Sequence, residues 1–290
     1  MTAYRFCRTD DIALLCDALN ACYLPHFPEQ APLRPRDFKR EIRELNVWCS
    51  SCMVASADGD PIAVVKGAKR ERETLIHRIG VRPGFQRSGH ARHLLESLAR
   101  KLAVLGPPRV VVELPEDLPA GIALFEALGY RAEQRFADFA LPGPPAPVRA
   151  TGAVERVGLD DLLRYRALDP DLPRSWERAL ATLQNRKEEI QGLAIASDAR
   201  VEAHVLFRDL PELGRREILA IGAAPPRGDA EGPNARALAR IALRVACQAG
   251  PLAVTVPRVS GEEISWAELE SIGFRRQRCY RRYARSCDAS

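Results

Sequence analysis

The sequence states its pattern twice. Arg8-Thr-Asp-Asp-Ile12 is answered by Gly158-Leu-Asp-Asp-Leu162, Arg78-Ile-Gly-Val81 by Ala220-Ile-Gly-Ala223, and Ala91-Arg-His-Leu94 by Ala235-Arg-Ala-Leu238. Val110–Pro115 is answered by Leu252–Pro257, and Leu124-Phe-Glu-Ala-Leu-Gly-Tyr-Arg131 by Glu268-Leu-Glu-Ser-Ile-Gly-Phe-Arg275. The offset stays within 142 to 150 residues throughout. Self-similarity at a constant offset is the mark of a repeated unit. Between the copies lies Leu141-Pro-Gly-Pro-Pro-Ala-Pro147, a stretch that no helix or central strand tolerates. The expected organisation is therefore a domain at 1–141, a linker at 142–149 and a second domain at 150–290.

Periodicity outlines the first copy. Helices are expected at Asp10–Tyr23, Pro35–Leu45, Ser88–Leu105 and Ile122–Leu128. Strands are expected at Val47–Ala57, Pro61–Lys69, Thr74–Val81, Arg109–Leu114 and Glu133–Leu141, with a short one before the first helix. Asp58-Gly-Asp signals a hairpin turn. In the long helix Ala91, Leu94, Leu95, Leu98, Leu102 and Leu105 form one apolar stripe. Antiparallel strands followed by a strand–helix–strand unit read as an α/β (α+β) fold. Each copy is expected to be a mixed, mostly antiparallel sheet flanked by helices.

Composition closes off other classes. The longest stretches without Asp, Glu, Lys or Arg, Leu45–Ala57 and Val245–Pro257, are 13 residues each, and a spanning helix needs roughly 18. Asp10 and Asp11 interrupt the N-terminus before an apolar signal core can form, so a cytoplasmic location without membrane contact is expected. The net charge of +5 divides evenly between the halves, whereas a nucleic-acid binder gathers its charge on one face or in a tail. The one local excess is Arg275, Arg276, Arg278, Arg281, Arg282 and Arg285, in an expected strand. A solvated sheet face accounts for it better than a binding patch. Cys49-Ser-Ser-Cys52 has redox or half-zinc spacing, but no second closely spaced Cys/His pair completes a site. Reduced thiols at the start of an apolar strand are the expectation, with no metal.

Chemistry concentrates in Val81-Arg-Pro-Gly-Phe-Gln-Arg-Ser-Gly-His-Ala91, where a strand end turns directly into a helix N-terminus. The first N–H groups of a helix have no internal partner and lie at its positive end, so such a place binds anions. Gly89 presents no Cβ there, Ala91 keeps the next turn shallow, and Gln86, Arg87 and His90 add donors.

Val81-x-Pro83 followed by Gln86-Arg-Ser-Gly-His-Ala91 resembles the Q/R-x-x-G-x-G/A motif of the GNAT superfamily of acetyltransferases. Ala123-Leu-Phe-Glu-Ala-Leu-Gly-Tyr130 is similar to the short helix ending in Gly-Phe or Gly-Tyr of the same superfamily. The resemblance covers residues 1–141 in order and implies two tandem GNAT-type domains. It implies an acetyl-CoA cofactor whose pyrophosphate rests on the amides of Gln86, Arg87, Ser88, Gly89, His90 and Ala91. The pantetheine arm would lie between the strand ending at Val81 and the strand Arg109–Leu114, against the backbone of Ile79, Gly80 and Val81. The family's tyrosine acid falls at Phe125, counted among the cofactor-binding positions although it has no proton to give, and the frequent asparagine falls at Leu118. In the second copy Ala230-Glu-Gly-Pro-Asn-Ala235 stands where the motif should be. Glu231 repels phosphate there, and Pro233 has no N–H, so that copy reads as degenerate.

The implied reaction is N-acetylation of a primary amine on a small molecule or peptide terminus. A catalytically silent acyl-CoA sensor is the alternative. His77 is the candidate base, with a packed strand histidine as the competing account. Tyr23, His26 and Phe27 are candidate acceptor-binding residues, or simply loop anchors. Cys22 is a conceivable nucleophile that direct transfer does not need. Pairing of the two domains about a pseudo-two-fold axis predicts a monomer.

Overall fold

The computed structural model describes residues 1–143, 154–197, 200–223, 235–248 and 253–286. Glu231, Pro233 and all of the expected linker except Pro142 and Gly143 lie outside these. Two compact units emerge: Met1–Glu133 together with Arg281–Ser290, and Gln134–Tyr280. They differ from the sequence halves at the last strands: unit 2 takes in the strand ending the first half from Gln134 on, and unit 1 takes in the last strand of the chain from Arg281 on.

Unit 1 runs β1 (Thr2–Phe6), α1 (Ile12–Cys22), a 3-10 turn (Leu24–His26), α2 (Pro35–Leu45), β2 (Met53–Ala57), β3 (Asp60–Lys69), β4 (Glu73–Val81), α3 (His90–Leu105), β5 (Arg109–Pro115) and α4 (Pro119–Ala127). Its strands lie in chain order, antiparallel except for the parallel pair β4–β5. A parallel pair needs a crossover, and α3 supplies it. Asp58 and Gly59 both have positive φ (52° and 93°), as a type I′ hairpin turn requires. Pro35 opens α2 and Asn46 closes it in a left-handed conformation (φ 59°).

Two local expectations are corrected. The strand foreseen from Val47 begins only at Met53: Val47 makes a single bridge to Ala68, and Cys49–Ser51 form a 3-10 turn. Gly67 permits this, because a Cβ there would come within 2.5 Å of the Ser51 carbonyl oxygen. The apolar stripe of α3 buries Leu94, Leu95, Leu98 and Leu102, but Leu105 is 69% exposed at the helix end.

Unit 2 comprises β6 (Arg131–Leu141, from Gln134 on), β7 (Val154–Val157), α5 (Leu159–Arg164), α6 (Leu180–Asn185), β8 (Gln191–Ser197) and β9 (Arg200–Leu210). There follow β10 (Arg215–Ala223), α7 (Ala235–Gln248), β11 (Ala253–Ser260), α8 (Trp266–Ile272) and the first part of β12 (Arg275–Ser286). Again a single parallel pair, β10–β11, flanks the long helix, and the other registered pairs are antiparallel. The repeat extends to an irregularity. Register jumps at His77 in β4 and at Leu219 in β10, each one residue beyond an isoleucine. Among the described residues no helix is long and apolar enough to cross a membrane, and no cluster of His, Cys, Asp or Glu could hold a metal.

His204, on β9, is 2% exposed and its ring occupies the space that a Cβ on Gly222 would need. Burial, reinforced by Arg174, pushes its pKa down to about 4. An unfolded histidine protonates near ~6.5, so below that pH the unfolded chain binds a proton that the native one refuses. Stability is expected to fall by about 2 kcal/mol between pH 7 and pH 5. Urea denaturation of wild type and His204→Leu at the two pH values tests this; an equal pH slope in both would remove His204 as the cause.

Candidate functional site

Unit 1 brings the sequence-predicted loop and strand together at the C-terminal end of β4. Phe85 N–H closes a turn onto the Arg82 carbonyl at 3.0 Å. Gly84, Arg87 and Gly89 then take left-handed conformations (φ 91°, 62° and 83°), aiming the chain into α3. The first bond of the helix runs from His93 N–H to the Gly89 carbonyl at 3.0 Å, so the amides of His90, Ala91 and Arg92 precede the helical ladder. No acidic residue lies in the first turn of α3, and Gln86 to Gly89 are exposed. A Cβ on Gly84 or Gly89 would have no atom within 4 Å. Open space, unpaired donors and no opposing carboxylate fit a diphosphate.

The His90 side chain does not join this cradle. Its Nδ1 lies 2.6 Å from Tyr4 Oη, and the His93 ring packs tilted (39°) against Tyr4 with centroids 4.0 Å apart. These contacts pin the start of α3 to β1 and engage one of the two ring nitrogens of His90.

Beside the cradle, β4 and β5 part. Their registered pairs run from Glu73–Arg109 to Ile76–Val112 and go no further. His77 is the first residue of β4 past the registered pairs with β5 and is half-buried at the bulge, a distortion that re-aims a side chain. Past it, Ile79 and Val81 pack on the α3 side. Gly80 faces α1, where a Cβ would come within 2.4 Å of the Cys22 carbonyl oxygen. The Val81 carbonyl accepts a bond from His26 Nε2 at 2.8 Å, and Gln86 Nε2 meets the same ring nitrogen at 3.3 Å. His26 thus ties the 3-10 turn to both the strand end and the anion loop.

Tyr23 and Phe27 stack with ring centroids 4.4 Å apart, and the Arg78 guanidinium lies 5.4 Å from the Tyr23 centroid. Behind them is a charge cluster that pattern reading overlooks. Lys66 of β3 is fully buried and bonds Glu41 of α2, which also pairs with Arg78 at 3.2 Å. Burial raises the Glu41 pKa, but Lys66, Arg78 and His77 outweigh it and hold the carboxyl near about 2. Burial and Arg78 push Lys66 down to about 8 against the pull of Glu41. A signal existed: Lys66 is one of only five lysines in the chain and interrupts the apolar run Ile62–Val65.

Two further candidates lie away from open space. Phe125 is 0% exposed and packs edge-on to Tyr130 at 5.0 Å in the core of unit 1. Cys22 is buried, and desolvation pushes its thiol up to about 11, which leaves it a poor nucleophile. Cys52 is buried likewise, its thiol pushed up to about 12, consistent with a structural role for the Cys49–Cys52 turn.

Unit 2 has the same parting of strands, and its own side chains fill it. Registered pairs of β10 with β11 stop at Glu217–Thr255. Arg178 and Glu263, with side chains 0% exposed, pair at 2.5 Å immediately beyond. Arg178 Nη1 donates to the Ile218 carbonyl of β10 at 2.6 Å and the Pro257 carbonyl of β11 at 3.2 Å. Glu263 accepts from Ile221 N–H at 2.9 Å. Ile221 is the counterpart of Ile79 in the repeat, so the pair takes up backbone that unit 1 leaves open. A cavity of about 60 Å³ remains alongside, lined by Ala223, Glu263, Ser265 and Glu268 among others, with room for a few waters.

Residues 12–130 match the model of the acetyltransferase (GNAT) family. The chain is 30% identical over 129 residues to mycothiol acetyltransferase of Streptomyces avermitilis, a match spanning 43% of this chain and 41% of that protein. A GCN5-related N-acetyltransferase from Sphaerobacter thermophilus superposes with a TM-score of 0.70 at 17% identity, over 100% of this chain and 96% of that one. A tandem GNAT protein from the clavulanic acid biosynthesis pathway gives 0.69 at 13% identity, covering 100% of both chains. These two likenesses establish the fold across both halves. The sequence match to the acetyltransferase (GNAT) family thus rests on residues 12–130, less than half of the chain.

Proposed function

We propose that unit 1 transfers an acetyl group from acetyl-CoA to a primary amine of a small molecule or peptide terminus, and that unit 2 carries no active site. The observation that supports this most is the conjunction at the end of β4: an anion cradle, a bulged histidine and a strand pair that parts beyond Ile76. The amides of Gln86 to Ala91 would hold the cofactor's diphosphate, and the backbone of Ile79 to Val81 its pantetheine arm. When bound, acetyl-CoA supplies the activated acetyl thioester. His77 would accept the proton of the attacking amine. Tyr23 and Phe27 would form one wall of the acceptor site, with His26 holding that wall to the cradle. The burial of Phe125, where a tyrosine acid was sought, supports the second reading, a silent acyl-CoA binder.

Release of free CoA thiol over an amine panel separates the two readings. Gly89 supplies the control. At φ 83° a β-branched side chain is strained, and its Cβ would project into the anion space. Gly89→Val is expected to weaken CoA binding by about 100-fold, equivalent to ~2.7 kcal/mol. Isothermal titration reads that loss directly, and unchanged affinity would place the diphosphate elsewhere. Substitutions around Pro233, outside the described residues, should leave CoA affinity as it is.

A further inference from the structure

On the acceptor side of β4 the charges do not balance. Lys66 and Arg78 are registered cross-strand partners, two cations on one face of the sheet. Both pair with the same group: Glu41 gives Oε2 to Lys66 and Oε1 to Arg78. Other carboxylates of α2 are engaged locally, Asp37 with Arg34 at 2.8 Å and Glu44 with Arg40 at 3.7 Å. One carboxylate therefore serves two cations, with His77 close enough to add to the positive side. The excess sits at Arg78, because the Lys66 side chain is 0% exposed and that of Arg78 is 21% exposed.

We propose that the acceptor of unit 1 is an amine that also bears a carboxylate, which Arg78 holds beside Tyr23. The proposal rests on the N-acetyltransferase reading and narrows its substrate class. A guanidinium offers five N–H donors in a planar fork that matches a carboxylate, and Glu41 takes one side of it. The Tyr23 ring under the guanidinium fixes its plane. A plain alkylammonium would meet the positive charge of Arg78 here, with the Glu41 carboxylate already shared between Lys66 and Arg78. The anion of an amino acid reverses that penalty. It also orients the amine toward His77, one residue from Arg78 in the chain and displaced by the bulge.

The test uses the full chain and three matched acceptors: an α-amino acid, its carboxamide and the amine lacking the carboxylate. The amino acid is expected to show kcat/KM at least about tenfold above the other two, as the loss of one charged hydrogen-bond partner predicts. Arg78→Gln should erase that preference through KM, and Arg78→Lys should restore part of it. CoA affinity and melting temperature report whether each variant is folded. Titration of the same three compounds into CoA-saturated wild type reads the site without turnover. Equal or inverted preference in both assays overturns the proposal. Carboxylate-selective binding without acetyl transfer would overturn the enzymatic reading and leave the Arg78 assignment standing.

Discussion

A chain ending at Tyr280 is expected to lose unit 1, although its truncation removes only the far end of the sequence. β12 lies next to β5, and its last part, from Arg281, belongs to unit 1. Tyr283 is 4% exposed within the same core as Leu94, Val112 and Phe125. Arg282 pairs at 2.7 Å with Glu113, whose side chain is 1% exposed. Arg281 pairs with Glu116 at 3.1 Å, and Arg285 caps the Leu128 carbonyl at 2.9 Å. Deleting a core aromatic costs ~3–5 kcal/mol, and removing one partner of a buried ion pair costs a similar ~3–5 kcal/mol. A domain's whole stability is only ~5–15 kcal/mol. Chains 1–280 and 1–141 should therefore fail to bind CoA and should be degraded by protease, while unit 2 of the 1–280 chain keeps its core. Arg282→Ala in the intact chain is the graded version, expected to lower stability by ~3 kcal/mol. A folded, CoA-binding 1–141 fragment would show that the exchanged strand is dispensable.

That exchange was the least legible feature of the sequence, and the reason is physical. A proline-rich boundary reports where the backbone cannot continue a helix or strand; it is silent about which distant strand each flank will join. Elements set by near neighbours were readable: the Asp58-Gly59 turn, α2 with its opening proline, and the leucine stripe of α3. The turn that leads into α3 was readable too, because glycine positions and a helix start are local facts. The bulge at His77 was not. One extra residue leaves a period-two pattern intact on each side of it, so the strand looked regular and His77 an ordinary strand position. The contact of His90 Nδ1 with a tyrosine from β1 was likewise hidden, since it joins residues 86 positions apart. Phe125 was read from alignment with a motif, yet packing against Tyr130 decides where it goes. The six C-terminal arginines are more than a solvated face, for Arg281, Arg282 and Arg285 hold unit 1 together.

Glu263→Ala should be among the most damaging single changes in unit 2, and its pattern of rescue should test whether the Arg178–Glu263 pair closes the slot between β10 and β11. The variant leaves the Arg178 guanidinium buried without its carboxylate, at a cost of ~3–5 kcal/mol, and strips Ile221 N–H of its acceptor. Replacing both members of the pair by hydrophobic residues of similar size should recover much of that loss, because an apolar filler does not leave a charge stranded. Urea unfolding of the two single variants and the double variant gives the coupling energy. The Ile218 and Pro257 carbonyls that Arg178 also bonds set a limit to the rescue, since no apolar side chain can donate to them. If the pair is a permanent internal occupant of the slot, wild type binds one CoA per chain, and Glu263→Ala still binds one, in unit 1. A wild-type stoichiometry of two would mean that the cofactor displaces a doubly stitched, fully buried ion pair. In that case Arg178 and Glu263 would be a latch to be opened, and both units would have to be counted as sites.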